Sequence, residues 1–354
     1  MRPIKARISL DAMAHNLRIA RQHAGSAKVI AVVKANAYGH GLSRALRALV
    51  AADAFAVLTM EEAANLRQMG IQQPILLLEG LFSVEELQLC TDLDVWPMIH
   101  CRQQIDWLKQ RPAARPLNLF VKFDSGMHRL GFALSEFDAV MAELQSLPAV
   151  GEITLMTHFA QADESAGIAP ALQAFQQHAG PTQLAWTTAN SAALLRYPEA
   201  RGDWVRPGIM LYGASPFTEI PAAELGLKPA MKLQSEIIAV QQLKAGDCLG
   251  YGCAFRAEQA MRIGVVACGY ADGYPRHAPT GTPILVDGQR TRTLGRVSMD
   301  MLFTDLSTLP DARAGSPVVL WGEQLPVEDV AHAAHTISYE LLCALAPRVR
   351  VEEI

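Results

Sequence analysis

The sequence predicts an α/β protein, a (β/α)8 TIM-like barrel followed by a mostly β C-terminal domain. Over the first two thirds of the chain, eight short apolar runs alternate with amphipathic stretches, as in a closed parallel barrel. After Pro229 the chain becomes rich in strands and glycine turns, which indicates a separate β domain. An open doubly wound sheet would give the same alternation, but no glycine-rich dinucleotide loop follows the first strand.

The apolar runs and the change in character place the domains. The runs that predict barrel strands lie near residues 29–33, 54–58, 75–79, 95–99, 117–123, 152–158, 184–188 and 204–211. We therefore expect the barrel over residues 9–228 and the β-rich domain over residues 229–354. The opening strand, within residues 1–8, is a candidate to join the second domain.

The composition excludes several classes of protein. Half of the 354 residues are apolar, 19% are charged and the formal net charge is −4, so nothing suggests nucleic-acid binding. We expect no membrane segment, no secretion signal and no metal site, and we predict a cytoplasmic enzyme. No C-x-x-C pair occurs, so we expect reduced, mostly buried thiols at Cys90, Cys101, Cys248, Cys253, Cys268 and Cys343.

Lys34 is the most informative residue, because it ends an apolar run inside the segment AVVKANAYGHG (residues 31–41). Desolvation by apolar neighbours favours the neutral amine, which can form a Schiff base or take a proton from carbon. Tyr38 lies four residues further on, close enough in sequence to reach the same ligand. The alternative is a lysine that extends from the strand end into solvent.

Other polar groups follow predicted barrel strands, where the functional groups of such barrels collect. They are Lys122, Arg129, His158, Asn190, Ser191, Arg206, Pro207 and Gly208. Several cations at one barrel end favour an anionic ligand, and the serine and glycine amides suit a phosphate. A Schiff-base lysine beside a phosphate site indicates pyridoxal 5′-phosphate.

Each of these residues also has a purely structural alternative. His158 would be a hydrogen-bonded core histidine, and Ser191 would cap a helix that begins at Ala192. Arg206 would form an ion pair with Asp203. Lys122 would be an ordinary surface lysine.

The chain resembles the bacterial alanine racemases over essentially its whole length. The segments that carry the resemblance are AVVKANAYGHG, VKFDSGMHRLGF, NSAA, DWVRPGIMLYG, GYGCAF, GYADGYPR and GRVSMD. The resemblance implies a cytoplasmic homodimer that interconverts L-alanine and D-alanine, either to supply D-alanine for peptidoglycan or in alanine catabolism. It implies a two-base mechanism on a pyridoxal 5′-phosphate aldimine, with active sites shared between subunits.

The same resemblance assigns roles to individual residues. Lys34 would hold the cofactor and act as the base for D-alanine, and Tyr251, supplied by a second subunit, would deprotonate L-alanine. Arg206 would hydrogen-bond the pyridine nitrogen, with His158 behind it. The residues implied to line the phosphate are Tyr38, Ser191, Gly208, Ile209 and Tyr339. Those implied to bind the substrate carboxylate, narrow the entrance or support the site are Arg129, the Met299 amide, Tyr270, Asp300 and Lys122, the last by carbamylation.

Arginine at position 206 agrees with racemisation on chemical grounds. Because a guanidinium can only donate, it should keep the pyridine nitrogen unprotonated and weaken the electron sink. A short-lived carbanion favours return of the proton to the same carbon over transamination. Two rival functions remain. The first is a cofactor-carrying barrel without turnover, which would not need a β domain with Tyr251 and Asp300. The second is a decarboxylase of basic amino acids, for which an acidic residue is expected at position 206.

Overall fold

A computed structural model describes residues 2–110 and 115–354. Met1, the first residue of the predicted stretch 1–8, lies outside the described residues. The helices are α1 (Leu10–Ala24), α2 (Lys34–Tyr38), α3 (Leu42–Ala48), α4 (Met60–Gln68), α5 (Glu86–Leu93), α6 (Arg102–Gln110), α7 (Phe137–Ser146), α8 (Ala169–Ala179), α9 (Ser191–Arg196), α10 (Val327–Ala333) and α11 (Ser338–Cys343). None of the helices in these ranges is long and apolar enough to cross a bilayer.

The strands fall into two groups along the chain. The first ten are β1 (Lys5–Ile8), β2 (Lys28–Val32), β3 (Ala54–Val57), β4 (Ile75–Leu77), β5 (Val95–Ile99), β6 (Leu117–Asp124), β7 (Phe132–Ala133), β8 (Val150–Met156), β9 (Trp186–Thr187) and β10 (Trp204–Val205). The others are β11 (Met231–Leu243), β12 (Cys248–Leu249), β13 (Phe255–Arg256), β14 (Met261–Val266), β15 (Pro283–Val286), β16 (Gln289–Leu294), β17 (Leu302–Asp305), β18 (Pro317–Trp321) and β19 (Arg350–Glu353).

The chain divides into two compact units. The barrel unit comprises Leu17–Ala37 and Leu49–Leu211, and the β-rich unit comprises the residues up to Asn16, Tyr38–Ala48 and Tyr212–Ile354. The boundaries that we predict from sequence, 9–228 and 229–354, stay a prediction.

The barrel unit is a closed parallel barrel. Its strands pair in the order β2, β3, β4, β5, β6, β8, β9 and β10, and pairing of β10 with β2 closes the circuit. At the closure Val205 faces Val29, and Val29, Ile30 and Ala31 of β2 are fully buried. Continuous burial is expected of a parallel strand that is covered on both faces. The (β/α)8 prediction is confirmed.

The β-rich unit contains a second, mostly antiparallel sheet. Strands β11, β14, β17, β16, β15 and β18 pair in a closed circuit, and β1 lies between β11 and β19. Asp287 and Gly288 join β15 to β16 with φ of 48° and 76°, as a two-residue hairpin requires. Trp321 and Tyr274 are fully buried and stack with ring centroids 6.2 Å apart. The predicted β-rich C-terminal domain is confirmed as a fold.

Candidate functional site

Lys34 follows β2 and begins a turn of left-handed backbone. Residues 35–38 have φ between 51° and 54°, a region that costs about 1–2 kcal/mol for each L-residue other than glycine. Ala37 N donates to the carbonyl of Val33 at 2.9 Å and closes the turn. Strain of this kind persists where the surroundings hold it, so the half-buried Lys34 leaves the strand in a fixed direction.

Arg206 follows β10 and is almost fully buried, with 4% of its surface exposed. Its Nη1 donates to Thr187 Oγ1 at 2.6 Å. Its Nη2 donates to the carbonyls of Thr157 at 2.8 Å and Thr188 at 3.3 Å, and to His158 Nδ1 at 3.3 Å. Burial lowers the pKa of Arg206 to about 9, so the guanidinium is still charged at neutral pH. The barrel strands therefore hold a fixed, charged donor at this end of the sheet.

The proposed ion pair between Arg206 and Asp203 is wrong. Asp203 Oδ2 accepts instead from the backbone N–H of Trp186 at 2.9 Å and joins neighbouring strands. Asp203 precedes β10 and Arg206 follows it, so the two side chains bond to groups at opposite ends of this two-residue strand.

His158 lies two residues after β8 and is half-buried. Its pKa is lowered well below the ordinary histidine value, first by burial and then by the positive charges of Arg206, Lys122, Arg129 and Lys34. The imidazole is therefore neutral at pH 7. Since a guanidinium can only donate, the ring nitrogen Nδ1 accepts from Arg206, and the ring proton belongs on Nε2.

Lys122 lies on β6 and is 5% exposed, so the surface-lysine alternative is wrong. Burial lowers the pKa of its amine to about 8, and the positive charges of Arg206, Arg129 and Lys34 contribute in the same direction. Asp124 opposes this effect. The barrel unit thus gathers more positive than negative charge around Lys122, which favours an anionic ligand.

Asp124 also shapes the loop that carries Arg129. Its Oδ1 accepts from the backbone N–H groups of Gly126 at 2.9 Å and His128 at 3.1 Å, and its Oδ2 contacts His128 Nδ1 at 3.0 Å. These bonds lower the pKa of the Asp124 carboxyl, although burial opposes them. Arg129 follows this turn and is exposed. The carboxylate therefore fixes the backbone from which the Arg129 side chain projects.

Ser191 begins α9, and Asn190 takes the capping role that we considered for Ser191. Asn190 Oδ1 accepts from Ala193 N at 2.9 Å. The Ser191 hydroxyl is buried and accepts from Gly208 N at 2.9 Å and Met210 N at 3.4 Å. The helix cap is thus supplied without the serine, and Ser191 lies against the backbone amides that follow β10. Ile209, between the two amides, is fully buried.

Two aromatic rings pack against Tyr38 in the β-rich unit, and His40 packs against one of them. Tyr38 stacks on Tyr212 with centroids 4.7 Å apart, and Tyr339 lies 6.1 Å from Tyr38. His40 Nδ1 contacts the Tyr38 carbonyl at 2.9 Å, and its ring lies 4.7 Å from that of Tyr212. Burial raises the pKa of Tyr38 well above its ordinary value, so its hydroxyl stays protonated and available as a donor.

Tyr270 and Met299 lie on two segments of the β-rich unit that hydrogen-bond to each other. Tyr270 N donates to the Ser298 carbonyl and Ala271 N to the Met299 carbonyl, both at 3.0 Å. Tyr270 is 38% exposed and Met299 53% exposed. The structure therefore presents these two predicted site residues together on the surface of this unit.

A buried carboxylate secures this pair of segments. Asp272 is fully buried and accepts from Arg2 Nη1 at 2.7 Å, Arg348 Nε at 2.7 Å and Gly269 N at 2.9 Å. Arg348 Nη2 also donates to Asp300 Oδ1 at 2.6 Å. These bonds lower the pKa of Asp272 against the opposing effect of burial. Asp300 is thereby joined to the segment that carries Tyr270.

Tyr251 lies in the turn between β12 and β13 and is 70% exposed. A disulfide joins Cys248 to Cys253, with the two Cα atoms 4.9 Å apart, so the prediction of six reduced thiols is wrong for this pair. The turn returns the chain on itself and brings together two cysteines that are five residues apart. Cys90, Cys101, Cys268 and Cys343 lie outside any disulfide; the first and third are buried, and Cys343 is exposed.

Sequence reasoning did not find several residues that support the site. Thr187 orients Arg206, yet a threonine in a predicted strand gives no functional signal. Tyr212 stands in the segment DWVRPGIMLYG, where its position beside the site residues could have indicated it. Arg2 and Arg348 are 270 and 76 residues from Asp272, and no local pattern links them.

Within the barrel unit, the structure thus brings together Lys34, Lys122, His158 and Arg206, with Ser191 against the amides of the 208–210 segment. Within the β-rich unit, it brings Tyr38 together with Tyr339, and Tyr270 with Met299 and Asp300. Over residues 2–110 and 115–354, no three His, Cys, Asp or Glu side chains lie as a set of metal ligands.

The chain matches known proteins over both units. The family models "Alanine racemase, N-terminal domain" and "Alanine racemase, C-terminal domain" match residues 8–216 and 230–352. The alanine racemase of Thiobacillus denitrificans is 69% identical over 354 residues, which cover 100% of this chain and 96% of the relative. That of Nitrosospira multiformis is 53% identical over 352 residues, with 99% of each chain covered.

Solved structures give the same result. The crystal structure of the biosynthetic alanine racemase from Pseudomonas aeruginosa is similar with a TM-score of 0.97 and 47% identity, and all of both chains is covered. The structure of the alanine racemase from Acinetobacter baumannii gives a TM-score of 0.95 at 39% identity, again with full coverage of both. The chain belongs to the alanine racemase family.

Proposed function

We propose that this chain is an alanine racemase that uses pyridoxal 5′-phosphate and interconverts L-alanine and D-alanine by two bases. The observation that carries the proposal is the buried, charged Arg206 guanidinium in the same barrel as Lys34, with the pKa values of Lys122 and His158 both lowered by burial and by the surrounding positive charge. A site with this excess of positive charge suits a ligand with a phosphate and a carboxylate. Family membership supports the choice of alanine and of this cofactor.

The donor chemistry of the barrel unit fits the proposed cofactor. Lys34 offers an amine for the aldehyde, and Arg206 offers a charged donor for the ring nitrogen. The Ser191 hydroxyl accepts from the Gly208 and Met210 amides and keeps its own proton to donate to the phosphate. In the β-rich unit, Tyr38 offers a hydroxyl that burial keeps protonated. When bound, the cofactor would withdraw electrons from the substrate and acidify the proton on its α carbon.

Arg206 limits how far this withdrawal goes. Its Nη groups are held by Thr187 and by backbone carbonyls, so the guanidinium does not reorient to accommodate a proton on the ring nitrogen. His158 accepts from the same guanidinium and, being neutral, cannot replace it as an acid. The chain's own residues therefore favour rapid return of a proton to the α carbon, which is racemisation and not transamination.

Racemisation requires proton transfer on both faces of the α carbon. We assign Lys34 Nζ to one face, where it takes the proton of D-alanine or returns it. We assign Tyr251 Oη to the other face, where it does the same for L-alanine. Arg129 and the Met299 amide would bind the substrate carboxylate and hold the α carbon between the two bases.

We further propose a homodimer in which each Tyr251 serves the site of the other subunit. In the single chain Tyr251 is 70% exposed, and a base that works on carbon needs a site from which water is excluded. The exposed Tyr270, Met299 and Met301 supply apolar surface on the same unit that a second copy would cover. A cytoplasmic location, and a role in peptidoglycan supply or in alanine catabolism, stay predictions.

Lys122 fits carbamylation, in which the neutral amine adds to carbon dioxide and releases a proton. With its pKa lowered to about 8, the buried amine is neutral far more often at pH 7 than an ordinary lysine. The product would replace a cation by an anion among Arg129, Arg206 and Lys34. That exchange replaces by attraction the repulsion that, after burial, lowers the pKa of the free amine.

The test is to follow the optical rotation of L-alanine with purified chain and cofactor. We expect the rotation to fall to zero as the racemic mixture forms, and we expect K34A to leave it unchanged. Constant rotation with the parent chain would leave the cofactor-carrying barrel as the function. Carbon dioxide released from a diamino acid would indicate the decarboxylase.

A further inference from the structure

We propose that the disulfide between Cys248 and Cys253 positions the loop that carries Tyr251, and that its reduction by a dithiol slows racemisation reversibly. The inference rests on the proposed function, in which Tyr251 is one of the two bases. The two sulfur atoms would act by restricting the loop that carries Tyr251, and they would not contact the substrate.

The two ends of the hairpin are anchored independently of the disulfide. Cys248 pairs with Arg256 and Leu249 with Phe255 between β12 and β13. Leu249 is 6% exposed and belongs to a buried apolar cluster with Ala257, Met261, Ile263 and Leu294, against which Phe255 packs. The hairpin therefore has a fixed base whether or not the sulfurs are joined.

Besides the disulfide, the loop between these anchors is restrained by one long backbone bond and by the closeness of Gly250 to the Phe303 ring and of Gly252 to the Arg296 side chain. Gly250 and Gly252 flank Tyr251, both with φ of 68°, and glycine is the residue with the most backbone freedom to lose. The backbone bond across the turn, from Cys253 N to the Gly250 carbonyl, is long at 3.4 Å. The disulfide adds a covalent connection from the far side of Tyr251 back to the anchored strand.

A short covalent ring of this kind removes loop conformations that an open chain would sample. The Cys248–Cys253 ring encloses the backbone of Tyr251 and of both flanking glycines. A base must be held within a fraction of an ångström of its working position, so loss of the ring should lower the fraction of productive encounters.

Cys248–Cys253 is the disulfide that the described residues contain, so it is the bond that a dithiol can reduce. Cys248 is exposed and Cys253 half-buried. Cys90 and Cys268 are buried, and burial raises the pKa of the Cys90 thiol to about 12 and that of Cys268 well above its ordinary value, so both are unreactive. Disulfides in reducing compartments are usually transient and redox-sensing, in agreement with a switch.

Reduction of the Cys248–Cys253 bond proceeds by two successive thiol–disulfide exchanges. One thiolate of the dithiol attacks a sulfur of the Cys248–Cys253 bond, which breaks as a mixed disulfide forms. The second thiolate then attacks the mixed disulfide, leaving two protein thiols and an oxidised, cyclic dithiol. Two electrons pass from the dithiol to the protein. Oxidised glutathione reverses the reaction and leaves two molecules of reduced glutathione.

The experiment compares three forms of the cofactor-loaded enzyme: oxidised parent, parent treated with dithiothreitol, and the double variant C248S/C253S. We expect kcat to fall roughly tenfold in the second and third forms, the size of effect expected when one backbone residue must be ordered at each turnover. KM for alanine should change little, because substrate binding uses other residues. Oxidised glutathione should restore kcat in the treated parent but not in the double variant.

A second readout does not depend on activity. Amide hydrogen exchange over residues 250–254 should accelerate on reduction, while exchange in β14 stays unchanged. Peptide mapping without reductant should show the Cys248–Cys253 bond in the oxidised parent. The variant C101S, which changes a half-buried cysteine of the barrel unit, should respond to dithiothreitol as the parent does.

The possible failures are distinguishable. Free thiols at both positions in the oxidised parent would overturn the inference, as would equal kcat and equal hydrogen exchange in all three forms. A bond that survives dithiothreitol would overturn the redox response, and the double variant would then test the positioning role alone. An oxidised parent that does not racemise alanine at all would sink the proposed function, whereas the exchange measurement would still report on the loop.

Discussion

Asp272 offers a quantitative test of how the β-rich unit supports the Tyr270 and Met299 segments. The perturbation is D272N, which keeps the shape of the side chain but replaces an acceptor by an amide that directs N–H groups at two arginines. In the parent, the fully buried carboxylate accepts from Arg2 and Arg348 at 2.7 Å each. The substitution therefore removes the carboxylate that Arg2 contacts and leaves Arg348 paired with Asp300.

The magnitude follows from the burial of each partner. Breaking a fully buried ion pair by removing one member costs about 3–5 kcal/mol of unfolding free energy. Arg2 and Arg348 are 40% and 41% exposed, so water replaces part of what they lose. We therefore expect D272N to lower the free energy of unfolding by about 2–4 kcal/mol.

The pH dependence has a definite sign. The pKa of Asp272 is lowered in the folded chain, so its contribution is fully present above the unfolded pKa of about 4. It is lost as the pH falls through the folded pKa, because the carboxyl is then protonated in both states. The difference in stability between parent and D272N should thus be largest near neutrality and should shrink in acid.

The assay is urea unfolding of parent and variant at several pH values, read by the transition midpoint at constant slope. The matched control is D329N, which breaks a surface ion pair in which the Asp329 side chain is 36% exposed and that of Arg290 is 59% exposed. This substitution should lower the free energy of unfolding by less than about 1 kcal/mol. If D272N were no less stable than D329N, or if its deficit grew on acidification, the account of this carboxylate would be wrong.

Three further predictions concern the barrel unit. A35G should stabilise the chain by up to about 1 kcal/mol, because residue 35 has a φ of 54°. The control A142G, at an exposed position of α7, should destabilise the chain by about 1 kcal/mol. Thermal unfolding compares the two variants. In carbonate-free buffer, the stability of the parent relative to K122M should rise by about 3 kcal/mol between pH 7 and 11 in urea titrations, because the folded pKa of Lys122 is lowered to about 8. T187V should destabilise the chain by about 1.5–3 kcal/mol through loss of the charged hydrogen bond from Arg206, measured by urea unfolding.

Their controls separate specific effects from general ones. T188V removes the hydroxyl of the neighbouring buried threonine, which donates to the Ala200 carbonyl at 2.6 Å, and should cost about 1 kcal/mol. Equal losses in T187V and T188V would contradict a special role for the Arg206 contact. A pH profile of K122M that matched the parent would contradict a buried, titrating amine.

The barrel could be predicted because its signal is local. Each parallel strand is buried on both faces and so appears as a continuous apolar run, as in β2 and β3. Lys34 and Arg206 could be found because a charged residue directly after such a run is unusual, and barrel geometry places strand ends together. Their roles as site residues stay predictions.

The features that sequence did not reveal depend on contacts between distant residues or on unsignalled backbone. Arg2, Asp272 and Arg348 meet only after folding, and no spacing relates them. The left-handed turn after Lys34 contains alanine and asparagine with no glycine before position 39, so the usual signal for positive φ is absent. Cys248 and Cys253 lack the spacing of known redox motifs, and only the hairpin brings them together.

The central claim is that a single amine, Lys34, holds the cofactor. Reduction of the loaded enzyme with sodium borohydride, followed by proteolysis and mass mapping, tests it most directly, because the reduced bond is permanent and can be located to one peptide. We predict the label on Lys34 alone, with K34A unlabelled. A label on Lys122 or on any other lysine of the parent chain would contradict the account.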